Sequence, residues 1–151
     1  MPNWCEGTLK VRGTLENVRR FMEEGIDWTP SKLVVEEYDD GTLEFNISGT
    51  EERWIKGTNR HFIMGDENKC DYMYLYEGHT LFLHLKAAWY VSAEDLKTVC
   101  QEYGVDMKIE AYERGMEFGQ LVEIINGEIT RNEDMEYDDY EWDCPCPTLG
   151  G

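Results

Sequence analysis

The sequence predicts an α+β two-layer sandwich in which two helices cover one face of an antiparallel sheet. Three observations carry this expectation. Two segments show helical apolar spacing between a capping hydroxyl and a terminal glycine. Three pairs of short alternating segments are joined by turn residues, as in β-hairpins. Finally, the order runs strand, helix, strands, then strands, helix, strands, which suits a single helical layer over one sheet.

Each element has its own local reason. Residues 8–12, TLKVR, alternate polar and apolar side chains as a half-buried strand does, and Gly13 ends the run. Thr14 supplies an N-cap for a helix whose Leu15, Val18, Phe21 and Met22 share one face, and Gly25 stops it. Residues 32–38 and 42–48 read as strands joined by Asp39-Asp40-Gly41. The stretch 49–70 has no clean period and holds Gly49, Gly57 and Gly65, so it reads as a long connection with one helical turn. Residues 71–77 and 80–87 form a second hairpin around Gly78-His79. Ser92 caps a second helix with Leu96, Val99, Cys100 and Tyr103 on its apolar stripe, closed by Gly104. Residues 105–113 and 118–125 make the third hairpin, and Asn126-Gly127 turns into a short strand near Ile129. The βαβ–βαβ kernel matches a ferredoxin-like arrangement over residues 1–131, followed by an acidic aromatic tail at 132–151.

At 151 residues the chain has the size of one domain able to bury its own core. No apolar run reaches the length of a membrane span, and the first residues have neither a basic region nor an apolar stretch, so no signal peptide is expected. Cys5, Cys70, Cys100, Cys144 and Cys146 are odd in number and spaced like no disulfide framework, which fits reduced thiols in a host-cell cytoplasm.

Charge is the decisive bulk property. Fourteen basic against thirty-two acidic residues give a formal net charge of −18. Such a chain repels nucleic acid and anionic membranes, and it attracts basic surfaces. Only residues 49–64 are net positive, through Arg53, Lys56 and Arg60, with His61 beside them.

The opening MPNWCEGTLKVRG resembles the start of YubB-like proteins, a ferredoxin-like family of plasmids, phages and other mobile elements. The second half is similar to that family's closing module through Trp89, Leu96, Tyr103, Glu113, Gly115, Phe118 and Gly119. The resemblance implies the same fold and a mobile-element origin. It implies no activity and no catalytic residues.

The residues themselves suggest no enzyme. His79 and His84 are five apart along a strand and so face opposite sides, which excludes a simple metal pair. Cys144-Pro-Cys146 offers two thiols where structural zinc wants four ligands, so neither metal nor cofactor is expected. There is no phosphate-binding glycine loop, no Gly-x-Ser-x-Gly and no His-Glu-x-x-His.

Two interaction surfaces stand out instead. If Met73 and Leu75 face the helices, Tyr72, Tyr74 and Tyr76 face outward, joined by Phe82, His84 and Tyr112 on an open sheet face. RNA-recognition sheets stack bases on such aromatics, but there the surround is basic, whereas Asp71, Glu77, Asp106 and Glu110 are acidic. A protein-binding or homodimer face fits better, against the plainer reading that the tyrosines only pave a solvated sheet.

The second surface is the tail. Glu133, Asp134, Glu136, Asp138, Asp139, Glu141 and Asp143 interleave with Tyr137, Tyr140 and Trp142. A block of like charge is usually a solvated run. The aromatics suggest a segment that orders against a basic groove without being required for folding.

Together these readings point to a non-enzymatic inhibitor, of anti-CRISPR or anti-restriction type, that binds a basic nucleic-acid-binding host defence protein by DNA mimicry. It would bind no nucleic acid directly and no membrane. Two alternatives remain open: a small-ligand or nucleotide-signal binder using the open sheet and the basic 53–61 island, and a structural or regulatory module whose acidity is incidental.

Overall fold

In the computed structural model, residues 1–30, 32–47, 52–64 and 71–151 are described, with backbone alone at 71–73. Strand β1 (Trp4–Arg12) runs through the middle of an eight-stranded antiparallel sheet. Its alternation puts Cys5, Leu9 and Val11 inward and Thr8, Lys10 and Arg12 outward. A Cβ at Gly7 would run into the Glu110 carbonyl, so glycine is what allows the neighbouring strand to pair closely there.

Helix α1 (Leu15–Glu24) follows, with the Thr14 hydroxyl accepting from the Asn17 N–H at 3.2 Å and Val18, Phe21 and Met22 buried. Next come β2 (Ile26–Asp27), β3 (Leu33–Glu37), β4 (Leu43–Ile47), β5 (Arg53–Ile55), β6 (His61–Met64), β7 (Asp71–Leu75) and β8 (Leu81–Ala88). Helix α2 (Ala93–Tyr103) is capped by Ser92 and ended by Gly104 in the left-handed region at φ 66°. The last elements are β9 (Asp106–Glu113), β10 (Phe118–Ile125), β11 (Glu128–Glu136) and the short α3 (Tyr140–Asp143).

The large sheet has the order β11-β10-β9-β1-β8-β6-β5-β2, and a second sheet has the order β3-β4-β7. Buried residues of α1 and α2 share one core with the inward residues of β1, β8, β9 and β10. Leu43, Phe45, Ile47 and Leu75 of the small sheet join that core. The α+β class and the large antiparallel sheet are as expected, as are both capped helices and the first and third hairpins.

Four expectations are corrected. The hairpin of 71–77 with 80–87 does not form: β7 pairs with β4, while β8 lies between β1 and β6. The described part of the 49–70 connection is not a loop with a helical turn, because β5 and β6 pair antiparallel within it. The last strand is not short but nine residues long. It runs across the expected 131/132 boundary, so no domain break lies there.

The tail is the fourth correction. Tyr140 and Cys144 are buried with Tyr112, and Met135, Tyr137 and Leu149 pack against them. The Gly151 N–H donates to the Trp4 carbonyl at 2.8 Å, and the Gly150 N–H to the Glu6 carboxylate at 3.1 Å. The last residues therefore fold back onto the first strand rather than forming a solvated run.

Candidate functional site

At the end of β8 the chain must turn sharply into α2. It does so through Trp89, a non-glycine residue at φ 71°, whose N–H donates to the Asn3 carbonyl at 2.8 Å. Left-handed backbone in a bulky residue is costly and persists only where its surroundings fix it. The next anchor is the buried Gln120 of β10. Its amide oxygen accepts from the Val91 N–H at 2.7 Å, and its amide nitrogen donates to the Val91 carbonyl at 3.2 Å. The Cys5 thiol points at the same amide oxygen, 3.6 Å away. Burial, with Glu113 adding its charge, pushes that thiol up to about 12, so it stays protonated.

Across from this segment, the turn between β9 and β10 is held by the fully buried Glu113. Its carboxylate accepts from the Gly115 N–H at 2.5 Å and the Met116 N–H at 2.8 Å. Glu117 follows at φ 61°. Asn3, Cys5, Trp89, Glu113 and Gly115, all within the stretches that suggested a family, thus converge to shape two facing turns.

Between those turns and β11 lies a groove of about 780 Å³. Glu94, Glu117, Asp134 and Glu136 line it, with the rings of Tyr90, Phe118 and Tyr137, and among the described residues no lysine or arginine does. Trp89, Tyr90 and Met116 stand more than half exposed around it. Carboxylates beside aromatic faces suit a guanidinium or ammonium group, through charge-assisted hydrogen bonds and cation–π contact. Among the described residues, no group of three or more His, Cys, Asp or Glu is placed to hold a metal ion.

The expected partner-binding residues are divided by the fold. Asp134, Glu136 and Tyr137 line the groove. Glu133 points from the other face of β11 and pairs with Arg131 at 2.8 Å. Asp138 and Glu141 are exposed. Asp139 caps α3 by accepting from the Trp142 N–H at 3.2 Å, and Asp143 accepts from the Asp139 N–H at the same distance. Trp142 is 86 % exposed, whereas Tyr140 is buried and offers no contact surface.

The aromatic face expected from Tyr72, Tyr74 and Tyr76 is not built as foreseen. These residues belong to or follow β7 of the small sheet, while Phe82 and His84 lie on β8 of the large one. Tyr74 and Tyr76 are exposed, and Tyr76 stacks on His79 at 4.5 Å. The side chain of Tyr72 lies outside the described residues, and Tyr112 is covered by the tail.

The basic island is divided: Arg53 and His61 are buried, while Lys56 and Arg60 stay exposed. The His61 Nε2 accepts from the Ser92 N–H at 2.9 Å, so its Nδ1 donates to the Asn59 carbonyl at 2.8 Å. That histidine holds the start of α2.

Trp89, Tyr90, Glu94, Met116, Glu117, Phe118 and Gln120 were not singled out as site residues by sequence. The available signal was an aromatic pair two residues ahead of a helix cap, but the facing turn is remote in sequence. No family model, no curated protein and no solved structure matches the chain.

Proposed function

We propose that this chain is a non-enzymatic acidic interaction protein that binds a basic, nucleic-acid-binding host protein through the groove and the adjoining acidic strand. The observation that carries this reading is the groove itself: four carboxylates, three rings and, among the described residues, no lining cation. Mimicry of nucleic acid has a physical basis in β11. An antiparallel strand rises about 3.4 Å per residue and alternate residues share a face, so carboxylates on one face are spaced about 7 Å apart along it. Asp134 and Glu136 share one face of that strand, and Glu94 and Glu117 line the same groove, so four carboxylates are presented together where phosphates would go. Exposed aromatics at the rim supply contact area of the kind favoured at interfaces.

The motif resemblance to YubB-like proteins gives the reading its setting. A mobile genetic element would use such a protein in the cytoplasm against a host defence factor of the CRISPR or restriction type. The strand run β9-β1-β8-β6, with α2 linking β8 to β9 across β1, supports a ferredoxin-like kernel extended by extra strands at both edges.

The test is capture from host lysate by the wild-type chain and by a variant carrying Glu94→Gln, Glu117→Gln, Asp134→Asn and Glu136→Gln. The expected result is a basic protein that duplex DNA and rising salt both displace, and that the variant loses. Capture by the variant at wild-type level, or capture that DNA cannot displace, would overturn the reading.

A further inference from the structure

The outer face of the large sheet carries an arrangement of the opposite sign. Across neighbouring strands, Phe82 of β8 lies opposite Lys10 of β1, and Lys10 lies opposite Lys108 of β9. Two lysines directly opposed on adjacent strands repel, a placement that costs stability unless something negative lies between them. In a chain of net charge −18, that juxtaposition is unusual.

Nearby carboxylates do not resolve it. Glu110 accepts from the Tyr112 hydroxyl at 2.5 Å, while Asp106 accepts from the Asn126 N–H at 3.0 Å and pairs with Arg12 at 3.7 Å. Glu123 is bonded by the Thr130 hydroxyl at 2.8 Å and reaches Lys108 only at 3.8 Å. Among the described residues Lys10 makes no ion pair, and its ammonium sits 5.7 Å from the centre of the Phe82 ring.

Phe82 is 55 % exposed. It shares with Lys10 and Lys108 the lining of two adjoining cavities of about 300 and 430 Å³. Arg12, Asp106 and Glu123 line the first, and Glu110 with Pro145 and Leu149 of the folded-back tail walls the second. The volumes fall in the range of small-ligand sites. An exposed ring on an antiparallel sheet with cations beside it is how a base is stacked and its phosphate held.

We infer that this groove binds a small planar anion of the mononucleotide class, with its ring against Phe82 and its phosphate between Lys10 and Lys108. A long polyanion is repelled by the molecule as a whole. A single nucleotide needs only a local contact: its phosphate meets Lys10, which makes no ion pair among the described residues, and Lys108, whose carboxylate contact is the long one to Glu123.

Calorimetric titration of the full chain with AMP and GMP tests this, with adenosine and inorganic phosphate as separate arms. Binding of at least one nucleotide, tighter than either fragment, is expected. Phe82→Ala and Lys10→Gln should each weaken it by about tenfold or more, as loss of a stacking ring does. Lys10→Gln should also leave the melting temperature of the free protein unchanged or raised, because it relieves a like-charge opposition. The Glu94, Glu117, Asp134 and Glu136 variant should bind nucleotide as the wild type does, which separates this site from the acidic groove. Absence of binding at millimolar nucleotide overturns the inference. So does phosphate binding as tightly as nucleotide, or wild-type affinity in Phe82→Ala.

Discussion

At the scale of single residues, the molecule depends on a few buried polar side chains that fix backbone otherwise left unpaired. Gln120 is the clearest. Replacing it with leucine keeps the volume but strands the Val91 N–H and carbonyl inside the protein. Each unsatisfied buried group costs roughly 1–3 kcal/mol. Gln120→Leu should therefore lower the melting temperature by several degrees, and an unchanged melt would show that water or a shifted turn replaces the amide. His61 gives a pH signature. Burial lowers its pKa below the usual 6.5, so the folded protein holds it neutral while the unfolded chain takes up a proton more readily. Its contribution is therefore present above 6.5 and is lost as pH falls through the folded value. Urea midpoints measured downward from pH 7 should decline from about pH 6.5, and His61→Asn should flatten that decline. Identical pH slopes in the two proteins would remove His61 as the cause.

At the scale of elements, the tail gives the sharpest test, and the outcome reverses the sequence-based expectation. Deleting residues 137–151 removes α3 and uncovers Tyr112, whose cluster with Tyr140 and Cys144 is buried. Burying a large apolar side chain stabilises by about 1.5–3 kcal/mol, so the truncated chain should melt clearly lower. A melt matching the full chain would show that the tail only rests on the sheet. Both principal helices were legible because cap, apolar stripe and terminal glycine agree at Thr14–Gly25 and Ser92–Gly104. Strand β7 misled because its turn is real, with the His79 N–H donating to the Tyr76 carbonyl at 2.9 Å. Yet β1 and β6 occupy both edges of β8, leaving no place for β7 beside it. Strands β5 and β6 were hidden because Arg53 and His61 sit at inward positions and break the apolar alternation. In the groove, Asp134, Glu136 and Tyr137 were legible from acidity interleaved with aromatics. Glu94 and Glu117 were not, because only the folded turns bring them to β11.

At the scale of the whole molecule, the two faces of one sheet carry different chemistry. Asp134 and Glu136 face the acidic groove beside α2, while Lys10, Lys108 and Phe82 occupy the opposite face. Self-repulsion is the cost of the acidic surplus, because compacting like charges destabilises the folded state. The ion pairs available to offset it, such as Arg19 with Glu23 and with Glu37 and Arg131 with Glu133, are substantially exposed. Pairs of that kind contribute little. Raising sodium chloride from 10 to 150 mM shortens the screening length from about 30 to about 8 Å. Repulsion summed over many acidic groups then falls more than the few attractions do, so the melting temperature should rise by a few degrees. Neutralising Asp134, Glu136, Asp138 and Glu141 together should shrink that rise, since it removes four charges from one end of the molecule. A melting temperature that falls with added salt would show that ion pairs outweigh the acidic surplus.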